Sequence, residues 1–384
     1  MRNFLSYGKQ WIEDDDIKNV IEVLQSDFLT QGPKVEEFEE EICKLTGAKY
    51  CVVLSSGTAA LHLAVHSLNI EKGKKGITSP NTFVASSNAF IYNGLFPDFA
   101  DIDPKTYNIN YQEICKRLND DVKVIIPVHF AGQPADMENI NKIAKSKGVF
   151  IIEDAAHAIG SKYSDGSMVG NCKYSDMTIF SFHPVKTITT GEGGAITTNN
   201  IKFYEELKLL RSHGITKDIN HLNQNPGPWY YEMCDLGYHY RLTDLQSALG
   251  ISQIKKLGKF VRRRREIVNK YNNELSKNKF IQIPFETKEC YSAFHLYVIK
   301  IDFEKLGKIR KEVMEELKNK NVGTQVHYIP VHTQPYYLNN YGFKPGDYPI
   351  AEDYYRKALS IPLYPKMTDE DVDYVIRCIM EVVC

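Results

Sequence analysis

Three short segments carry residues that could do chemistry together. The first is Ser181-Phe182-His183-Pro184-Val185-Lys186, after which Thr189-Thr190-Gly191-Glu192-Gly193-Gly194 leads back into an apolar stretch. A lysine in a loop rich in hydroxyls and small residues is a candidate Schiff-base former. The second is Val149-Phe150-Ile151-Ile152-Glu153-Asp154, followed by Ala155-Ala156-His157. A carboxylate at the end of a buried strand is costly unless it is partnered. A protonated heterocyclic nitrogen is one suitable partner; capping the next helix is the simpler use of Asp154. The third is Ser55-Ser56-Gly57-Thr58, which separates an apolar strand from an Ala-rich helix. The amides and dipole of a helix start favour an anion there, and Gly57 lets the backbone come close. Thr58 adds a hydroxyl. A plain N-cap is the alternative.

Together these segments have a sharper meaning than any one of them. A phosphate cradle, a buried acid and a lysine, in that chain order, are what pyridoxal 5'-phosphate (PLP) needs. The cradle holds the phosphate, the acid keeps the ring nitrogen protonated, and the lysine bonds the aldehyde and moves protons. The chain has no GxxxxGK[ST] loop, and no GxGxxG follows its first strand, so the usual ATP and dinucleotide signatures are missing.

The elements that must hold these residues alternate. Apolar strands are expected at 50–54, 122–129, 149–152, 177–182 and 195–198. Helices are expected from residue 59 and over 139–147. Continuous apolar strands between helices predict an α/β fold whose mostly parallel sheet is covered on both faces. In parallel α/β sheets, ligands lie at the carboxyl ends of the strands. Beyond residue 250 the pattern changes to a long charged helix at 254–275, a strand at 293–301, a helix at 309–320 and a last helix from 369. This reads as a large domain, 1–250, and a smaller α+β domain, 251–384. Arg262-Arg263-Arg264-Arg265 is expected to be a solvated helix face, and residues 223–229 an exposed loop.

Composition excludes several classes. The 384 residues are 43% hydrophobic and 25% charged, as in globular enzymes and unlike disordered or collagen-like chains. Lys plus Arg number 47 and Asp plus Glu 48, a net charge of -1 that gives no general pull toward nucleic acid or an anionic membrane. Eight scattered cysteines without a CxxC pair suggest free thiols. No apolar run reaches membrane-spanning length, and Met1 to Tyr7 lead into no signal-type stretch. A cytoplasmic location is expected. His62 and His66 are spaced to ligate a metal from one helix, but HExxH is missing and no metal site is expected.

The segments SSGTAAL, EDAAHAIG, SFHPVKTITTGEGGA, RSHG (residues 211–214) and GYHYRLTDLQSALG (residues 237–250) resemble those of the DegT-type sugar aminotransferases. The resemblance extends from the Leu-Thr-Gln-Gly stretch at 29–32 to His327 and Tyr328. It implies the fold-type-I, aspartate-aminotransferase-like architecture with PLP, and its amine form PMP, as cofactor. It further implies that Lys186 bonds the cofactor, Asp154 pairs with the ring nitrogen and His157 approaches the ring hydroxyl. Phe83 would stack on the ring, and Gly57, Thr58 and Ser181 would hold the phosphate. The family's active site lies at a homodimer interface, with a GY-x-YR segment reaching in from the neighbour. Here His239 replaces the usual Asn of that segment, and an imidazole can still donate to phosphate. Substrate contacts are implied for Tyr7, Leu29, Thr30, Gln31, His327 and Tyr328.

The SFH-x-x-K form of the lysine segment resembles a subgroup that aminates C4 of UDP-linked 4-keto-6-deoxy sugars on the way to pseudaminic acid. Glutamate is the implied amino donor. Aminotransferases of the 4-amino-arabinose type share much of the pattern. A PLP-dependent sugar dehydratase would have His in place of Lys186, and a non-catalytic regulator would need a binding module that the sequence does not display.

Overall fold

The computed structural model describes residues 3–384. The chain opens with α1 (Asp14–Leu24) and α2 (Pro33–Thr46). Pro33 starts α2 where a missing N–H costs nothing, and Gly47 ends it at φ 84°. Five strands then alternate with helices, and two more follow without one: β1 (Tyr50–Leu54), α3 (Gly57–His66), β2 (Lys75–Thr78), α4 (Ala85–Tyr92), β3 (Phe96–Phe99), α5 (Tyr111–Arg117), β4 (Val122–Ile126), α6 (Met137–Lys147), β5 (Phe150–Asp154), β6 (Met177–Ser181) and β7 (Gly194–Thr198). They form one sheet in the order β1-β7-β6-β5-β4-β2-β3. Only β7 runs against the rest, pairing antiparallel with both β1 and β6.

The strands alternate between two cores, as a sheet covered on both faces must. Val53, Ile125 and Ile151 face a core shared with Phe38 of α2 and Ile140 of α6. Val52, Ile126 and Ile152 face the other, shared with Leu63 of α3 and Phe90 of α4. This is the predicted mostly parallel α/β sheet. The strand expected at 122–129 is regular only to Ile126; beyond Pro127, which has no N–H to donate, it keeps only an isolated bridge from Val128 to Asp154 of β5.

After α7 (Ile201–Arg211) comes a short hairpin, β8 (Ile215–Thr216) and β9 (Glu232–Met233), and then α8 (Asp244–Leu275). The long helix starts ten residues before the expected 254, where Thr243 and Gln246 form a capping box. Position 250 therefore lies inside a continuous helix. Its first half (Ile251, Leu257, Phe260) packs into the large core. Its second half (Ile267, Tyr271, Leu275) packs into a separate core built on β10 (Ile281–Gln282), β11 (Tyr297–Ile301) and β12 (Ala358–Ile361). Helices α9 (Phe303–Leu306), α10 (Arg310–Asn319), α11 (Pro335–Tyr341), α12 (Pro349–Lys357) and α13 (Asp369–Val382) complete the chain.

The arginine run is not the solvated face that its charge suggested. Arg264 is fully buried, and its Nη1 donates to the carbonyls of Phe294 (3.3 Å), His295 (3.1 Å) and Leu363 (2.8 Å). Arg265 is paired with Glu286, and Arg263 with Asp369. The long helix runs between two packed units, so residues on its inner side need internal partners.

Candidate active site

The carboxyl ends of β1, β5 and β6 meet at one cavity of about 650 Å³. Asp154 ends β5 and Ser181 ends β6, and the turn after β1 supplies Ser56, Gly57 and Thr58. Lys186, His157 and Phe83 line the same cavity. Three segments far apart in sequence are thus brought to one place by strand order.

Glycines permit the close fit of the cradle. Ser56 caps α3 by accepting from the Ala59 N–H at 3.1 Å. A Cβ on Gly57 would lie 2.9 Å from Ser181 Cβ. Gly194, paired with Leu54 across the sheet, would bring a Cβ to 2.4 Å from the Ser56 carbonyl oxygen. The glycine-rich return after Lys186 therefore lets β7 pass directly beneath the Ser-Ser-Gly-Thr turn.

Asp154 and Glu153, adjacent in sequence, point to opposite sides of β5. Asp154 lines the cavity, where its Oδ2 accepts from Ser86 Oγ at 2.6 Å and its Oδ1 from the Ala156 N–H at 3.1 Å. Glu153 is sealed on the far side, accepting from His129 Nε2 at 2.7 Å, from the Tyr163 hydroxyl at 2.6 Å and from Ser175. Burial opposes its charge, but these donors outweigh burial and hold its carboxyl below the usual range.

Lys186 is drawn down from 10.5 to about 8, chiefly by burial of its amine, with the nearby Asp154 opposing the shift. His157 is 6% exposed, and burial lowers it well below the ordinary histidine value, with Lys186 adding to the effect. Its Nδ1 accepts from the Ala131 N–H at 3.3 Å, which leaves the proton on Nε2, 3.1 Å from the Tyr328 hydroxyl. His327 is held by Ser360 Oγ at 2.7 Å, and burial lowers it to about 3. Tyr7 lies against the His327 ring, 5.2 Å between centroids. Phe83 is 58% exposed even though it lines the cavity, so its ring is free to be covered from that side.

These residues fit PLP. The cradle has room only because glycines stand at 57 and 194, the carboxylate faces the cavity, and one amine gives up its proton far more readily than an exposed lysine does.

Of the predicted site residues, Gly57, Thr58, Phe83, Asp154, His157, Ser181, Lys186, Tyr7, His327 and Tyr328 share the cavity. Leu29, Thr30, Gln31 and His239 lie outside it in the single chain. The 29–32 stretch is tied to the start of α8, where Asp244 accepts from the Gly32 and Lys34 N–H groups at 2.7 and 2.9 Å. His239 is exposed, 5.5 Å from the His213 ring. His62 and His66 bind Tyr240 and Asn93 rather than converging on a common point. Sequence reasoning missed Ser86, His295 and Gln325, all of which line the cavity. A second hydroxyl residue in Ala85-Ser86-Ser87 was the only available sign of the first. His295 and Gln325 come from the smaller unit with no local motif.

A model of the DegT/DnrJ/EryC1/StrS aminotransferase family matches residues 10–380. The chain belongs to this family. Family membership and the sheet together establish the fold-type-I architecture expected from the sequence. The chain is 41% identical to the spore coat polysaccharide biosynthesis protein SpsC of Bacillus subtilis, over 99% of this chain and 97% of the relative. Among solved structures it resembles Helicobacter pylori PseC, an aminotransferase of pseudaminic acid biosynthesis. The TM-score is 0.92 at 30% identity, covering 99% of both chains. It also resembles the putative sugar aminotransferase Spr1654 of Streptococcus pneumoniae in its PMP form, with TM-score 0.90 at 29% identity, covering 99% of this chain and 98% of that one. A PLP form of that protein matches equally well, and the family's cofactor is the one the cavity fits.

Proposed function

We propose that this family member is a PLP-dependent aminotransferase that moves an amino group from glutamate to C4 of a nucleotide-linked 4-keto-6-deoxy sugar. The UDP-linked precursor of pseudaminic acid is the foremost candidate. The observation that carries this reading is the meeting of Lys186, Asp154 and the Ser-Ser-Gly-Thr turn in one cavity. The likeness to PseC supports the choice of sugar.

When bound, PLP supplies a reactive aldehyde and a ring that withdraws electrons. This chain's residues supply the rest. Lys186, near pH 8 in its titration, has a sizeable neutral fraction to accept a proton and a charged fraction to return it. Asp154 presents a carboxylate to the cavity for the ring nitrogen. The start of α3, with Ser56, Gly57, Thr58 and Ser181, offers N–H and hydroxyl donors to the phosphate. His157 and Tyr328 form one hydrogen-bonded unit at the cavity wall. Tyr7 and His327, which line the cavity, would meet the sugar.

A homodimeric site belongs to the same proposal. No arginine lines the cavity among the described residues, and Lys186 is the only lysine there. The substrate's phosphates therefore find few cationic partners within one chain, and His239 and residues 29–31, which lie outside this chain's cavity, are proposed to serve a neighbouring copy. A division into a large and a smaller unit is likewise proposed, supported by the two cores on which α8 packs; the helix passes from one core to the other between Val261 and Ile267, beyond residue 250. Among the described residues no helix is long and apolar enough to cross a membrane, which fits a cytoplasmic enzyme.

The test is a panel assay. Purified protein with PLP and glutamate is given UDP-, GDP- and dTDP-linked 4-keto sugars, and 2-oxoglutarate is measured. Stoichiometric 2-oxoglutarate with the UDP-linked N-acetyl sugar is expected. Ketosugar loss without 2-oxoglutarate would overturn transamination. Turnover confined to another nucleotide would overturn the substrate assignment.

A further inference from the structure

The cavity wall behind Asp154 contains a chain of two buried hydroxyls. Ser86, in the first turn of α4, is fully buried, and Thr82 is 3% exposed. Thr82 Oγ1 and Ser86 Oγ are 2.8 Å apart, and Ser86 Oγ is 2.6 Å from Asp154 Oδ2. Each hydroxyl has one proton. An ionised carboxylate can only accept, so the Ser86 proton points to Asp154. The other acceptor open to Ser86, the Phe83 carbonyl, is distant at 3.4 Å. With its proton committed, Ser86 can only accept from Thr82. The direction of the chain is therefore set: Thr82 to Ser86 to Asp154.

A carboxylate facing a pyridine-type nitrogen shares one proton with it. Where that proton rests depends on how basic the carboxylate is. A hydrogen bond donated to the charged form favours that form and makes it a poorer base. Donation from a hydroxyl that itself accepts a hydrogen bond is strengthened. The Ala156 N–H on Oδ1 acts in the same sense.

We propose that Ser86, backed by Thr82, is a positioning residue that holds Asp154 as an acceptor and keeps the shared proton on the cofactor's ring nitrogen. The inference rests on the PLP reading above. Phe83 lies between the two hydroxyls in sequence, so one segment sets both the exposed ring at the cavity and the acid's hydrogen bond.

The experiment loads apoprotein with PLP labelled with nitrogen-15 in the ring and reads the ring nitrogen's resonance. Wild type is expected to show a protonated ring nitrogen. Ser86→Ala is expected to bind PLP yet move the resonance toward neutral pyridine, and kcat should fall roughly 10- to 100-fold with KM little changed. Ser86→Thr, which keeps the hydroxyl, should restore the wild-type resonance, and Thr82→Val should shift it part of the way. A loaded Ser86→Ala protein with an unchanged resonance overturns the inference and leaves the cofactor reading intact. A wild-type protein that takes up no PLP overturns the cofactor reading itself. Should Ser86→Ala fail to fold, Thr82→Val decides: a shift supports the relay, and no shift overturns it.

Discussion

The Tyr328 hydroxyl lies 3.1 Å from His157 Nε2, although 171 residues separate them. His157 follows β5 of the large sheet, and Tyr328 stands on a loop between α10 and α11. The backbone N–H of Ala131 on Nδ1 fixes the imidazole's tautomer, so Nε2 must donate. The contact couples the cofactor side of the cavity to the segment expected to meet the sugar.

Tyr328→Phe leaves that Nε2–H without its acceptor in a buried setting. An unsatisfied buried donor costs about 1–3 kcal/mol. A loss of stability in that range is expected in urea unfolding of the apoprotein, together with at least a tenfold fall in kcat. An unchanged kcat would show that the contact has no part in turnover.

Two of the three glycines of the return loop, Gly194 and Gly191, should differ sharply. Gly194→Ala puts a Cβ 2.4 Å from the Ser56 carbonyl and 2.7 Å from the Gly57 nitrogen. Backbone must move, at a cost of about 1–3 kcal/mol, and PLP affinity should fall at least tenfold as the cradle shifts. Gly191 has nothing within 4 Å of its Cβ position but stands at φ 83°. Gly191→Ala should cost only about 1–2 kcal/mol of backbone strain and leave PLP affinity within about twofold. Equilibrium PLP titration of both variants checks this.

Lys186 makes the cofactor-free protein's stability depend on pH. Unfolded lysine keeps its proton to 10.5, whereas burial lowers the folded value to about 8. Between these values the unfolded chain holds more protons, so stability rises with pH. Below about pH 8 both states are protonated and the full penalty is present. Lys186→Met should therefore stabilise the apoprotein near pH 7 by roughly 1–3 kcal/mol. That gain should fade as pH approaches 10.5. Urea unfolding at pH 7 and pH 10 distinguishes this from a packing effect, which would be equal at both.

Arg264 is a structural cation without a carboxylate partner. Burial lowers it to about 9, and one nitrogen serves three backbone carbonyls. Two of them belong to Phe294 and His295, which lead into β11 and the cavity. Arg264→Met should cost about 2–4 kcal/mol, since the freed carbonyls lose their donor in a dry interior. Chemical denaturation measures it, and stability equal to wild type would mean the carbonyls find other donors.

The sequence by itself was sufficient for the alternating α/β pattern and for the three chemical segments. Each is a local signal: Gly57 and Gly194 allow tight turns, Asp154 ends an apolar run, and Lys186 stands among small residues. Strand order β1-β7-β6-β5 then carries these local signals to one cavity, and no local pattern encodes that order. Only the tertiary structure placed Glu153 behind the sheet while Asp154 faces the cavity, because pleat direction depends on which core each strand face meets. Only it buried Arg264, whose run of like charges reads locally as solvent-facing. Ser86 and His295 stayed silent for the same reason: their roles rest on contacts with residues 68 and 138 or more positions away, and pairings at that range leave no periodicity in the chain.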